Sequence, residues 1–155
     1  MLPGGVENAE GFGQDLRDVY AFTAQGKNML RGGHYHPKLN ELFFPMSGTA
    51  LWILSDFRAE SPTKGMTHAL ILSINTPAET YGFPAYAVEE GGMPRLRIPA
   101  GIYHAVFPLT EDRIMTTALG STAFDKEDYR YPTIDEVPGM SDILVKLGIE
   151  LPPTA

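Results

Sequence analysis

Apolar and polar residues alternate along most of this chain with the period of a β-strand. DVYAFTA (18–24) puts Val19, Ala21 and Thr23 on one face and Tyr20 and Phe22 on the other. ELFFPMSGTALWILSDF (41–57) predicts two strands meeting in a hairpin turn at Ser47-Gly48. Pro45 lies inside the first of them and confines it to an edge or a bulge. THALILSI (67–74), RLRIP (95–99), HAVFPL (104–109) and RIMTTALG (113–120) predict further strands. Between them, AETYGFPAYAVEEGGMP (78–94) reads as a long loop or lid carrying Tyr81, Phe83 and Tyr86. Only GMSDILVKLGIELPP (139–153) has a helical stripe, with Ser141 as N-cap, Asp142 in the first turn, and Gly148, Pro152 and Pro153 as stop signals.

Sixteen glycines and thirteen prolines are spread along the chain, as turns between many short strands require. The 155 residues predict one mostly-β domain over 1–155, with a barrel core at about 18–132 and a tail with a short helix over 133–155. So many strands must hide their edges, which points to a closed or sandwiched barrel.

Composition narrows the chemistry. There is no cysteine, so disulfides, zinc-thiolate sites and thiol nucleophiles are excluded. A net charge of −7 argues against a nucleic-acid or anionic-membrane footprint. Much of the acid sits in FDKEDYRYPTIDE (124–136), while Arg31, Lys38, Arg58, Lys64, Arg95 and Arg97 leave room for a locally basic pocket that takes a phosphorylated small molecule. The first residues carry neither a basic n-region nor an apolar h-region, and no apolar run approaches the roughly 20 residues of a spanning helix, so a cytoplasmic location is expected.

Two of the four histidines stand one residue apart in RGGHYHPKLNELFFPMSG (31–48). On an extended strand His34 and His36 project to one side and Tyr35 to the other. After the PKLN turn, Glu41 can fold back beside them, and IPAGIYHAVFP (98–108) can bring His104 alongside. Three imidazoles and a carboxylate would suit a divalent Fe, Mn, Ni, Co, Cu or Zn ion. An imidazole that ligates an ion through one nitrogen cannot take a proton there, so Tyr20, Tyr35, Tyr103 and His68 are further acid–base candidates.

These residues resemble the cupin superfamily. His34, His36, Glu41 and Gly48 fit its first motif, H-x-H-x4-E-x6-G, and Pro99, Gly101 and His104 fit the P-x-G-x2-H of its second. The first motif's leading glycine is absent, Gly92 falls one residue early, and Pro108 stands where the second motif has asparagine. The resemblance implies a double-stranded β-helix (a small jelly-roll-like barrel) with the site inside, a metal set of His34, His36, Glu41 and His104, and a homodimer. Trp52 and the Phe43–Phe44 pair read as core or dimer interface.

RGGHYH, DFRAESPTKG and IPAGIYHAVF are together similar to segments of the dTDP-4-dehydrorhamnose 3,5-epimerases and of the 3,4-ketoisomerases of 4-keto-6-deoxy sugars, a likeness covering about residues 18–132. It implies an isomerase of a nucleotide-linked 4-keto-6-deoxy sugar with His34 as base, while Tyr35 and Tyr103 stand as catalytic candidates on the acid–base argument above. Arg31 and Arg58 would hold a diphosphate, with Lys38 as a third cation. Glu41 stands where the epimerases carry a lysine, so charge at the enolate would have to come from elsewhere, such as a bound ion. A metal-dependent cupin of another class (a dioxygenase or an isomerase of small keto compounds) and a non-catalytic cupin binding a sugar or small acid are the alternative readings.

Overall fold

The computed structural model describes residues 16–88 and 92–149. The N-terminal leader reading, the acidic tip of the 78–94 segment and the stop prolines Pro152 and Pro153 lie outside these residues. Among the described residues the strands are β1 (Asp18–Ala24), β2 (Arg31–His34), β3 (Glu41–Ser47), β4 (Thr49–Asp56), β5 (Thr67–Ser73), β6 (Ala85–Ala87), β7 (Leu96–Ile98), β8 (Ile102–Pro108) and β9 (Ile114–Gly120), followed by helix α1 (Met140–Lys146). They form two sheets, ordered β1-β9-β3-β7 and β2-β8-β4-β5-β6, and every pairing except β5 with β6 is antiparallel.

The hairpin expected at Ser47-Gly48 does not form. β3 belongs to one sheet and β4 to the other, so the chain crosses between layers at Gly48. Gly48 has φ +76°, and a Cβ there would sit 2.8 Å from Ile114 Cγ2, so only glycine turns this corner. The sequence carried a clue: β4 is apolar almost throughout, as a strand buried on both faces must be, whereas a hairpin strand with one wet face alternates. Pro45 sits at a bulge, where the β3–β9 register shifts between Pro45 and Ser47.

Even-numbered β4 residues, Ala50 and Trp52, face the other sheet and pack with Phe43, Leu70, Val106, Ile114 and Ala118. Trp52 and Phe43 are thus core, 5.0 Å apart between ring centroids. Odd-numbered Leu51 and Ile53 point the opposite way, into a second core closed by Val137, Met140, Leu144 and Leu147. The C-terminal helix is therefore a lid on the outer face of the second sheet. Its N-cap is Gly139, with φ +71°, rather than Ser141. The described part of the 78–94 segment contains β6, and its Tyr81 and Phe83 pack against the outer core, on the face of the sheet away from the histidines. No helix among the described residues is long and apolar enough to cross a membrane.

Candidate functional site

Residues i and i+3 of a regular strand face opposite ways, yet Arg31 and His34 both line one cavity. The Gly-Gly pair makes this possible. Gly32 and Gly33 have φ +78° and +79°, and the β2–β8 register shifts between Gly32 and His34. The bulge restores His34 opposite His104 on β8 while keeping Arg31 opposite Val106 on the same inner face. A Cβ at Gly32 would lie 2.8 Å from the His104 carbonyl oxygen. Gly32→Ala is therefore expected to cost roughly 1–3 kcal/mol of stability, read from the urea midpoint, and to weaken whatever function depends on His34.

Past the bulge, Tyr35 pairs with Arg130 through two backbone hydrogen bonds of 2.9 and 3.0 Å. That pairing turns Tyr35 outward and leaves His34 and His36 with Tyr129 on the inner side, their centroids 4.9 and 4.4 Å from the Tyr129 ring. The Pro99–Gly101 turn ties in the other half of the site: Gly101 N–H donates to the His36 carbonyl at 2.7 Å.

His34, His36 and His104 offer ring nitrogens all within 4.8 Å of one another. Glu41, at the start of β3, is 1% exposed, and its Oε2 lies 3.5 Å from His104 Nε2 and 3.8 Å from His36 Nε2. Tyr20 donates a hydrogen bond to Glu41 Oε1. Oε2 has no hydrogen-bond partner, although it is buried. His36 Nδ1–H donates to the Asp128 carbonyl at 2.8 Å, and because a carbonyl can only accept, Nε2 of the neutral ring carries a lone pair. Asp128 is itself buried and accepts the Lys38 and Leu39 amides, both at 3.0 Å.

Burial, then the neighbouring His36, holds His34 down to about 4; its hydrogen bond to the Gly32 backbone pulls the other way. Burial likewise lowers His36 and His104, so all three imidazoles are neutral at neutral pH. Burial pushes Glu41 up to about 7 against the opposing Tyr20 hydrogen bond. Imidazole lone pairs thus face an unpartnered carboxylate oxygen, an arrangement that only a shared proton or a cation relieves. The residues present therefore fit a divalent ion, which His34, His36 and His104 could share with Glu41 Oε2 against the latter two.

The other expected residues separate clearly. Arg31 lines the site cavity, which measures about 270 Å³ and is walled by Tyr20, Phe22, Phe43, Trp52 and Tyr129. Tyr35 and Tyr103 belong to the other face of the sheet: Tyr35 stacks on Phe57 at 5.1 Å, and Tyr103 is 3% exposed in the outer core. Neither reaches the histidines, because odd positions on β8 face away from the second layer. Arg58 is taken up by Asp56, with Nε and Nη2 contacts of 3.0 and 2.8 Å, and its stem covers Gly101 outside the cavity. Lys38 is 73% exposed with its Nζ 4.0 Å from Asp125. His68 is exposed on β5, opposite Leu54, two strands from His104. Tyr129 and Asp128 escaped the sequence reading because they lie in the acidic 124–136 run. The alternation of Tyr129, Arg130 and Tyr131 was the available signal, since it marks a short extended piece with both tyrosines on one face.

The two sheets, the bulged histidine strand and the short C-terminal helix make this a cupin fold. The dTDP-4-dehydrorhamnose 3,5-epimerase of Elizabethkingia anophelis superposes with a TM-score of 0.63 at 17% identity, over 83% of this chain and 63% of that one. A dTDP sugar isomerase from Desulfovibrio desulfuricans gives 0.64 at 15%, over 81% and 71%. A double mutant of a 3'-monoepimerase from Streptomyces bikiniensis, solved in complex with dTDP, gives 0.63 at 19%, over 94% and 62%. The chain thus spans less than two thirds of the first and third of these proteins. No protein-family profile and no curated sequence matches it. At such identities the likeness is one of fold.

Proposed function

We propose that this protein is an isomerase, an epimerase or ketoisomerase, of a nucleotide-linked 4-keto-6-deoxy sugar. The observation that carries the proposal is a neutral His34 presented into an aromatic-walled cavity that Arg31 also lines. A C4 ketone acidifies the hydrogens on C3 and C5, and a neutral His34 whose lone pair is not given to an ion can accept one of them as a proton. Tyr129 lines the same cavity, and burial followed by the nearby Glu41 raises its phenol, which keeps the proton available for return to carbon. Arg31 offers the developing enolate or a phosphate oxygen a fixed positive charge. When bound, a divalent ion would add a Lewis acid beside the cavity. The activity of the structural neighbours supports this reading of the substrate.

The test is incubation with dTDP-4-keto-6-deoxyglucose in D₂O, followed by NMR. Deuterium is expected at C3, C5 or both. The unpartnered Glu41 oxygen between two imidazoles favours a second reading, a metal-dependent cupin acting on a small keto compound. A protein that binds a divalent ion yet washes no deuterium into any 4-keto sugar would select it.

A further inference from the structure

We propose that Tyr20 is a positioning residue that sets the plane of the Glu41 carboxylate, so that Oε2 is aimed at a divalent cation held with His36 and His104. The inference rests on the reading that the site accepts such an ion.

β1 and β3 do not pair; β9 runs between them, which puts their backbones roughly 9–10 Å apart. Tyr20 lies opposite Ala118 of β9, and Ala118 lies opposite Phe43 of β3. Glu41 is one inward position along, opposite Gly120. A tyrosine on β1 can reach a carboxylate on β3 only across the inner face of β9. The two inward residues of β9 on that path are alanine and glycine, which leave it open. Ala118 itself is fully buried. The Tyr20 ring sits edge-on to Phe43, with centroids 6.5 Å apart, which fixes the phenol's direction.

The consequence falls on Glu41. A carboxylate with two free oxygens turns about its last torsion with little resistance. Here one oxygen is claimed by the Tyr20 hydroxyl and the other is left unpartnered towards two imidazole Nε2 atoms. Of Glu41's two oxygens, the structure therefore assigns Oε1 to the protein and Oε2 to the ion. The signal in the sequence is the Ala-x-Gly of β9 joined to a tyrosine on the edge strand.

The probe is Co²⁺ alone, with affinity measured by calorimetry and coordination followed in the visible d–d spectrum. Tyr20→Phe keeps the ring against Phe43 and removes only the hydroxyl. It is expected to weaken Co²⁺ binding by about 10–100-fold and to change the spectrum. In a Glu41→Gln background the same change is expected to have no further effect, because Tyr20 acts through Glu41. Ala118→Val, which retains the hydroxyl but narrows its path, is expected to weaken Co²⁺ in the same direction. Unchanged affinity in Tyr20→Phe, or an equal loss in the Glu41→Gln background, overturns the assignment. So does a wild-type protein that takes up no Co²⁺; the deuterium experiment does not depend on that result and still decides the substrate.

Discussion

Replacing His34 with asparagine is expected to reduce deuterium wash-in by about 10²–10⁴-fold, the range a matched general base contributes. The fold should survive, because His34 is only partly buried and its backbone is held by the β8 ladder rather than by its ring. The pH profile adds a second constraint. His34 is held to about 4, so wash-in should be level from neutrality down to about pH 5 and fall as the pH passes through 4. An unperturbed imidazole would instead lose activity near 6.5. A profile with its acid limb at 6.5, or full activity in His34→Asn, would remove His34 from the role of base.

The second large effect concerns stability. A divalent ion at a hundredfold excess over its Kd should stabilise the protein by about 2.7 kcal/mol, raising Tm by roughly 5–10 °C for a chain of this length. The gain should itself depend on pH. The three histidines have folded pKa values below those of the unfolded chain, so their contribution is complete above about 6.5 and is lost as the pH falls through the folded values, about 4 for His34. Glu41 works in the opposite direction. Its carboxyl ionises near 4.5 when unfolded and near 7 when native, so without an ion this one group lowers stability as the pH rises between those values. An ion beside Oε2 removes that penalty. The ion-induced rise in Tm should therefore be small near pH 5.5 and full by pH 8, and in Glu41→Gln it should be smaller and level over that range. A wild-type rise independent of pH, or one retained at full size in Glu41→Gln, would place the ion elsewhere.

The sequence was legible where the signal was local. His34-x-His36 is fixed by strand parity, Glu41 follows one short turn later, and Pro99-x-Gly101 announces the turn that delivers His104. It was illegible where parity breaks. The Gly32-Gly33 bulge shifts Arg31 onto the face of His34, and nothing in a period-2 reading reports that shift. Tyr35 and Tyr103 were attractive because they neighbour histidines in sequence, but adjacency on a strand guarantees opposite faces. Tyr20, one of the acid–base candidates, and Tyr129, which was not, do reach the site; they arrive from β1 and from beyond β9, at separations where a single sequence gives no pairing information. The false hairpin at Ser47-Gly48 has a related origin: glycine after a short polar residue marks a corner, and only the burial of both flanking strands shows that the corner joins layers.

Because β8 and β4 are buried on both faces, the part of the site that carries His104 is a rigid floor, whereas the side that carries Tyr129 is suspended. Residues 128–131 are attached through the Tyr35–Arg130 pair, the Asp128 carbonyl on His36 and the Asp128 carboxylate on two amides. Amide exchange should accordingly be slowest in β8 and β4 and fast around Tyr129, without global unfolding. Any local opening of this strap would also free His36 Nδ1 from its acceptor. The order of this short segment and the tautomer of one imidazole are thereby coupled through a single backbone carbonyl.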